Sequence, residues 1–131
     1  MQKVILTGNL GRDPEMRYTG DGTPVTNFSM AVNESWVKDG ERQEKTTWFR
    51  VTCWRGLAET VKTYLAKGRK VLVEGRLDSD PETGGPKTWT GDDGQVRTSY
   101  EVVAMNVEFL DSRGGSSSEE NVDAEGDAIP F

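Results

Sequence analysis

Apolar and polar residues alternate along most of this 131-residue chain, and a two-residue period sends successive side chains to opposite faces of a β-strand. Lys3 to Gly8 opens with Val4, Ile5 and Leu6 in unbroken succession. That run reads as a strand covered on both faces, with a partner subunit as one possible cover. Asn9, Gly11, Asp13 and Pro14 interrupt it, and Glu15 to Tyr18 reads as a short extended piece before the turn at Gly20, Asp21 and Gly22. Alternation is strict from Pro24 to Trp36, where Phe28, Met30 and Val32 form the core face. The Asp39-Gly40 pair then suits a tight hairpin reversal, which returns the chain as a strand over Thr46 to Trp54.

After Trp54 the period changes. Leu57, Ala58, Val61, Tyr64 and Leu65 fall at helical spacing and predict one short helix with Tyr64 on its core stripe, stopped by Gly68. Lys70 to Leu77 and Val96 to Leu110 resume the strand pattern. Between them, Asp78 to Thr88 carries Pro81, Gly84, Gly85 and Pro86 and reads as a solvent loop, with Trp89 just beyond it and a second reversal at Gly91 to Gly94. Three strands, a helix and two strands is the order of the OB-fold, an all-β, five-stranded, partly open Greek-key barrel, although the strand count alone also admits an SH3-like barrel.

Residues 1–110 therefore form the expected domain, and the remainder is built differently. Residues 111–126 are Gly, Ser and acid, the composition of a disordered linker, whereas residues 127–131 read Asp-Ala-Ile-Pro-Phe. Two large apolar side chains are too few to join a core, so Asp127, Ile129, Pro130 and Phe131 read as a partner-docking tip. The formal net charge of −6 follows the same division. Asp111, Glu119, Glu120, Asp123, Glu125 and Asp127 outweigh Arg113 in the tail, which leaves the body nearly neutral and its cations able to gather on one face.

A chain that is 34% hydrophobic and 29% charged has the composition of a soluble globular domain. No apolar run approaches the roughly 18 residues that cross a bilayer, and Met1-Gln2-Lys3 opens no secretory pattern, so a cytoplasmic protein is expected. The one cysteine, Cys53, and the absence of histidine rule out an internal disulfide and a Cys/His zinc site. Cys53 reads as a small buried residue, and no metal or cofactor is expected. Acids confined to loops and tail, with no histidine to move protons, argue against an enzyme. Gly84 to Thr88 also lacks the Gly-Lys pair of a phosphate-binding loop.

The distinctive chemistry lies in Thr46 to Trp54, TTWFRVTCW. On a strand, Phe49, Val51 and Cys53 make an ordinary core face, while Trp48, Arg50, Thr52 and Trp54 share the other. Two indoles flanking a guanidinium are a poor core and a costly surface unless something stacks on them. Unpaired bases on a phosphate backbone would do so. The alternative is that the tryptophans pack under a loop with Arg50 in a salt bridge.

Several stretches resemble the bacterial single-stranded DNA-binding proteins: KVILTGNLGRDPEMRYTGDGTPV from Lys3, the ESW of Glu34 to Trp36, TTWFRV, GLAETVKTYLAKG and KVLVEGRL, in order, with DAIPF similar to the family's acidic Ile-Pro-Phe end. The resemblance implies OB-folds assembled as a homotetramer and sequence-independent single-stranded DNA binding in replication, recombination and repair. It also implies a tail that recruits genome-maintenance proteins. By position, Trp36, Trp48, Trp54 and Trp89 correspond to stacking aromatics, and Lys3, Arg17, Arg50 and Lys67 to cations along the strand. The loop Asp78 to Thr88 departs from the family pattern, since Asp78, Asp80 and Glu82 stand where a shorter, more basic segment is usual. An OB-fold adaptor that docks proteins first and DNA weakly is the alternative function.

Overall fold

The computed structural model describes residues 1–110, together with the backbone of residues 120–122 and 128–130. Seven strands and one helix make up the body: β1 (Val4–Leu10), β2 (Glu15–Tyr18), β3 (Pro24–Lys38), β4 (Glu41–Trp54), α1 (Arg55–Tyr64), β5 (Lys70–Leu77), β6 (Lys87–Thr90) and β7 (Val96–Phe109). Alternate residues of four strands meet inside, with Phe28 and Met30 from β3, Val51 and Cys53 from β4, Val71 and Val73 from β5, and Val102 and Val107 from β7 all buried. Burying each large apolar side chain is worth about 1.5–3 kcal/mol. The alternation in sequence thus becomes the inside and outside of one barrel.

Closure follows from the register. Antiparallel ladders join β4 to β3, β3 to β1, β1 to β5 and β5 to β7, and a parallel ladder from Phe49↔Tyr100 to Thr52↔Val103 joins β7 back to β4. This is the OB-fold, and the barrel expected to be partly open is closed. Its shortest seam is β1–β3, which holds only Asn9↔Ala31 and Leu10↔Met30. That seam exists because β1 runs to Leu10, two residues beyond the expected stop at Gly8.

The β3–β4 hairpin turns where the sequence placed it. Asp39 and Gly40 both have positive φ, 52° and 79°, as a two-residue reversal matched to strand twist requires. Helix α1 packs Leu57, Ala58 and Val61 onto the barrel, and the buried Thr26 hydroxyl donates to Ala58 O at 2.7 Å, which satisfies a polar group inside the core. Leu65 is buried beside them, but Tyr64 is not the core residue that its spacing predicted. It is 49% exposed, with its ring 5.8 Å from that of Phe109, because at about 100° per residue it falls at the margin of the arc that Leu57, Ala58, Val61 and Leu65 turn to the barrel.

Two features escaped the sequence pattern. β6 pairs with the start of β7 as a separate hairpin that carries Trp89. Beyond Leu110, where no element was expected, β8 (Glu120–Val122) pairs with β7 and β9 (Ala128–Pro130) pairs with β8. The rest of the expected linker, with Asp127 and Phe131 of the tip, lies outside the described residues.

Candidate nucleic-acid interface

The outward face of β4 presents Trp48, Arg50, Thr52 and Trp54 in succession. Their β3 partners are Ala31, Ser29, Asn27 and Val25. Ala31 and Ser29 are small, so Trp48 and Arg50 stand clear of the sheet instead of being covered by neighbours. Trp48 is 54% and Trp54 40% exposed, and Arg50 forms no ion pair among the described residues. Among the described residues, neither the tryptophans beneath a loop nor the neutralised arginine of the alternative is found.

Trp48 and Arg50 lie along a groove of about 510 Å³ whose far side is formed by Trp89, Ser99, Tyr100 and Glu101, the last being the β7 partner of Arg50. Trp89 reaches it from β6, directly across from Arg97 on β7. The Arg97 guanidinium lies 5.7 Å from the indole centre and is held there by Asp93, Nη2 to Oδ2 at 2.7 Å. A cation over one face of the indole fixes the ring and leaves less of it to rotate on binding. The hairpin is also tied at its base, where Lys87 Nζ meets Asp78 Oδ2 at 2.8 Å. That hydrogen bond, ahead of the surrounding carboxylates, raises the Lys87 pKa.

A smaller hollow lined by Arg12, Asp13, Glu15, Asn27 and Ser29 shares Arg50 with the groove and continues it toward β2. Arg17 lies in this direction. Its Nη1 donates to Asn27 Oδ1 at 2.7 Å, and Asn27 Nδ2 donates to Thr52 Oγ1 at 2.7 Å, so one hydrogen-bonded row crosses β2, β3 and β4. Arg17 is also the β2 partner of Val25, which in turn faces Trp54. The path from Trp89 past Trp48 and Arg50 to Trp54 and Arg17 is therefore one outer surface.

Two sequence-predicted residues, Trp36 and Lys3, stand apart, and a third, Lys67, adjoins Asp13 of the smaller hollow. Trp36 pairs with Gln43, and cross-strand partners share a face, so Trp36 lies on the side of the β3–β4 ribbon that continues Phe49 and Val51, opposite Trp48. Lys3, on the β1–β5 side, is 3.7 Å from Glu74. Lys67 follows α1, and its backbone N–H donates to Asp13 Oδ1 at 2.8 Å. Ile129 and Pro130 fall on β9.

Arg97 and Arg12 belong to this surface and carried no contact role in the sequence reading, whereas Tyr100 pairs with Phe49, their rings 5.8 Å apart, and meets the groove only at its margin. Arg97 was discoverable, since a hairpin centred on Gly91 to Gly94 pairs it with Trp89. Arg12 lies in a connection with no periodicity and gave no signal. Among the described residues no group of three or more His, Cys, Asp or Glu side chains is placed to hold a metal, and no helix is long and apolar enough to cross a membrane.

A half-exposed aromatic surface on which Arg50, Arg12 and Arg17 lie among Glu101, Asp13 and Glu15 is suited to bases stacked flat, with guanidinium groups within reach of their phosphates. The comparisons with known proteins agree with that chemistry. The chain is 43% identical over 118 residues to the single-stranded DNA-binding protein of Neisseria meningitidis serogroup A, covering 89% of this chain and 64% of that relative's length. It is 39% identical over 132 residues to single-stranded DNA-binding protein 1 of Xylella fastidiosa, covering 99% of this chain and 91% of the relative. Among solved structures, the Plasmodium falciparum SSB complex with ssDNA superposes with a TM-score of 0.70 at 28% identity, over 85% of this chain and 96% of that one. The model of the single-strand binding protein family matches residues 1–110, and the chain belongs to that family.

Proposed function

We propose that this protein binds single-stranded DNA without sequence preference, by stacking bases on Trp48, Trp54 and Trp89 and holding the backbone with Arg50 and Arg17. The observation that carries the reading is the groove in which Trp48, Arg50 and Trp89, distant in sequence, line one exposed surface. Membership of a family of non-enzymatic DNA-binding proteins and the likeness to a DNA-bound relative support it. Trp36, on the other face of the hairpin, joins only when a longer strand crosses the ribbon edge. Lys3 acts through the field it adds rather than inside the groove, and Lys67 meets the backbone at the rim of the smaller hollow, beside Asp13.

The finer role is protection of single strands during replication, recombination and repair, with partner proteins recruited through Asp127, Ile129, Pro130 and Phe131. The acidic composition before the tip and the likeness of DAIPF to the family's end support it. Assembly as a homotetramer in the cytoplasm completes the reading. Ile5, 59% exposed at the centre of an apolar run on β1, is what a second subunit would cover.

Tryptophan quenching by oligothymidine at two salt concentrations tests the core of this reading. Binding should be tight, weaken with salt, and be much weaker for duplex, whose paired bases hide their faces. Equal affinity for duplex and single strand would overturn it.

A further inference from the structure

Beside the groove lies a second hollow, of about 170 Å³, made by the loop that follows β5. Leu77, Gly84, Gly85 and Pro86 wall it, and Tyr100 and Glu101 border both it and the groove. The loop that makes it is held by its own hydrogen bonds. Gly84 N donates to Asp80 O at 2.8 Å, Asp80 N donates to Gly85 O at 2.9 Å, and Asp78 N donates to Glu101 O at 2.7 Å, which ties the loop to β7. The hollow therefore exists before any ligand arrives.

Its walls are apolar and its border is acidic. Asp78 and Glu101 both contribute, and the neighbouring cation, Lys87, is already engaged by Asp78. Such a border repels a phosphate and leaves a neutral ring indifferent. A flat ring placed against Tyr100, Leu77 and Pro86 is withdrawn from water on the face it turns to them. A strand lying in the groove passes Tyr100 and Glu101, so a base turned aside at that point enters the hollow while its phosphate remains in solvent.

We propose that this hollow is a base-binding side pocket, which takes one nucleobase of the strand in the groove against Tyr100, Leu77 and Pro86. It rests on the single-strand binding reading and deepens it. On this view the acidic loop adds affinity through a base and none through the backbone.

Gly85 is the position at which to fill the pocket. A Cβ there meets only Thr83 Oγ1, at 3.6 Å, an ordinary contact, whereas Gly84 has φ +74° and would be strained by any side chain. Oligothymidine and an abasic deoxyribose-phosphate oligomer of equal length are titrated against the parent protein, Gly85→Leu and Leu77→Ala, with thermal unfolding as the check on folding. Leu77 lines the hollow and not the groove, so the second variant serves if the first fails to fold. Oligothymidine should bind each variant about five-fold or more weakly, the loss of one stacked base, while abasic affinity and the salt slope stay as in the parent. Unchanged oligothymidine affinity in the folded variants, or an equal loss on the abasic oligomer, would overturn the pocket and leave the groove reading intact. Failure of the parent itself to bind oligothymidine would remove both.

Discussion

A methyl group added to Gly11 would stand 2.5 Å from Cζ3 of Trp48, 2.8 Å from its Cη2 and 3.8 Å from its Cε3, distances that place it in the ring plane, so the backbone after β1 abuts the edge of the indole. That edge contact limits how far the ring can swing toward β1 and leaves its faces for a base. Gly11→Ala should displace the ring and weaken oligothymidine binding several-fold with the barrel intact, since the hydrogen bond from Gly11 N to Ser29 O does not depend on the side chain. Quenching titrations alongside thermal unfolding measure both. Parent-like affinity in Gly11→Ala would show that Gly11 does not set the orientation of Trp48.

Trp48→Ala and Trp54→Ala should each weaken binding by about one order of magnitude, since a stacked base is worth roughly 1–3 kcal/mol. The loss should already be present in short oligomers, because both rings lie on the groove face. Trp36→Ala should be nearly silent with short oligomers and become visible only as the strand lengthens past the ribbon. A full effect of Trp36→Ala on the shortest oligomer that binds would place the strand on the other face.

Arg50 has no carboxylate partner among the described residues and is shared by the groove and its continuation. Arg50→Gln should therefore lower the slope of log affinity against log salt by about 0.7, the value for one phosphate on a single strand. An unchanged slope would mean that Arg50 supports the tryptophans and leaves the backbone alone.

Burial pushes the Cys53 thiol up to about 12 from its ordinary 9.0. The unfolded chain ionises this group above pH 9 while the folded protein keeps the proton, so between pH 9 and about 12 the folded state holds more protons and loses stability as pH rises. The slope is about 1.4 kcal/mol per pH unit from this one group. Denaturant midpoints across alkaline pH should fall less steeply in Cys53→Ala, and a thiol reagent should react with the parent only as it unfolds.

Sequence alone determined the strands of the barrel, the hairpin at Asp39-Gly40, the helix, and the two faces of Thr46 to Trp54. All of these are set by local periodicity and turn chemistry, which a reader can count without knowing what packs on what. Phe28, Met30, Val51 and Cys53 are inside because a strand with one apolar face has only one way to bury it. Tertiary structure decided the rest. Tyr64 kept the spacing of a core residue but fell at the margin of the helix's buried arc, and the parallel β4–β7 pairing that closed the ring left no trace in either strand's own pattern. Trp36 and Trp48 look equivalent along the chain, yet the hairpin register sets them on opposite faces. Trp89 and Arg97 joined Trp48, and Glu101 came beside Arg50, because β7 pairs with β4 and β6 at once, a contact between distant segments that no local pattern encodes.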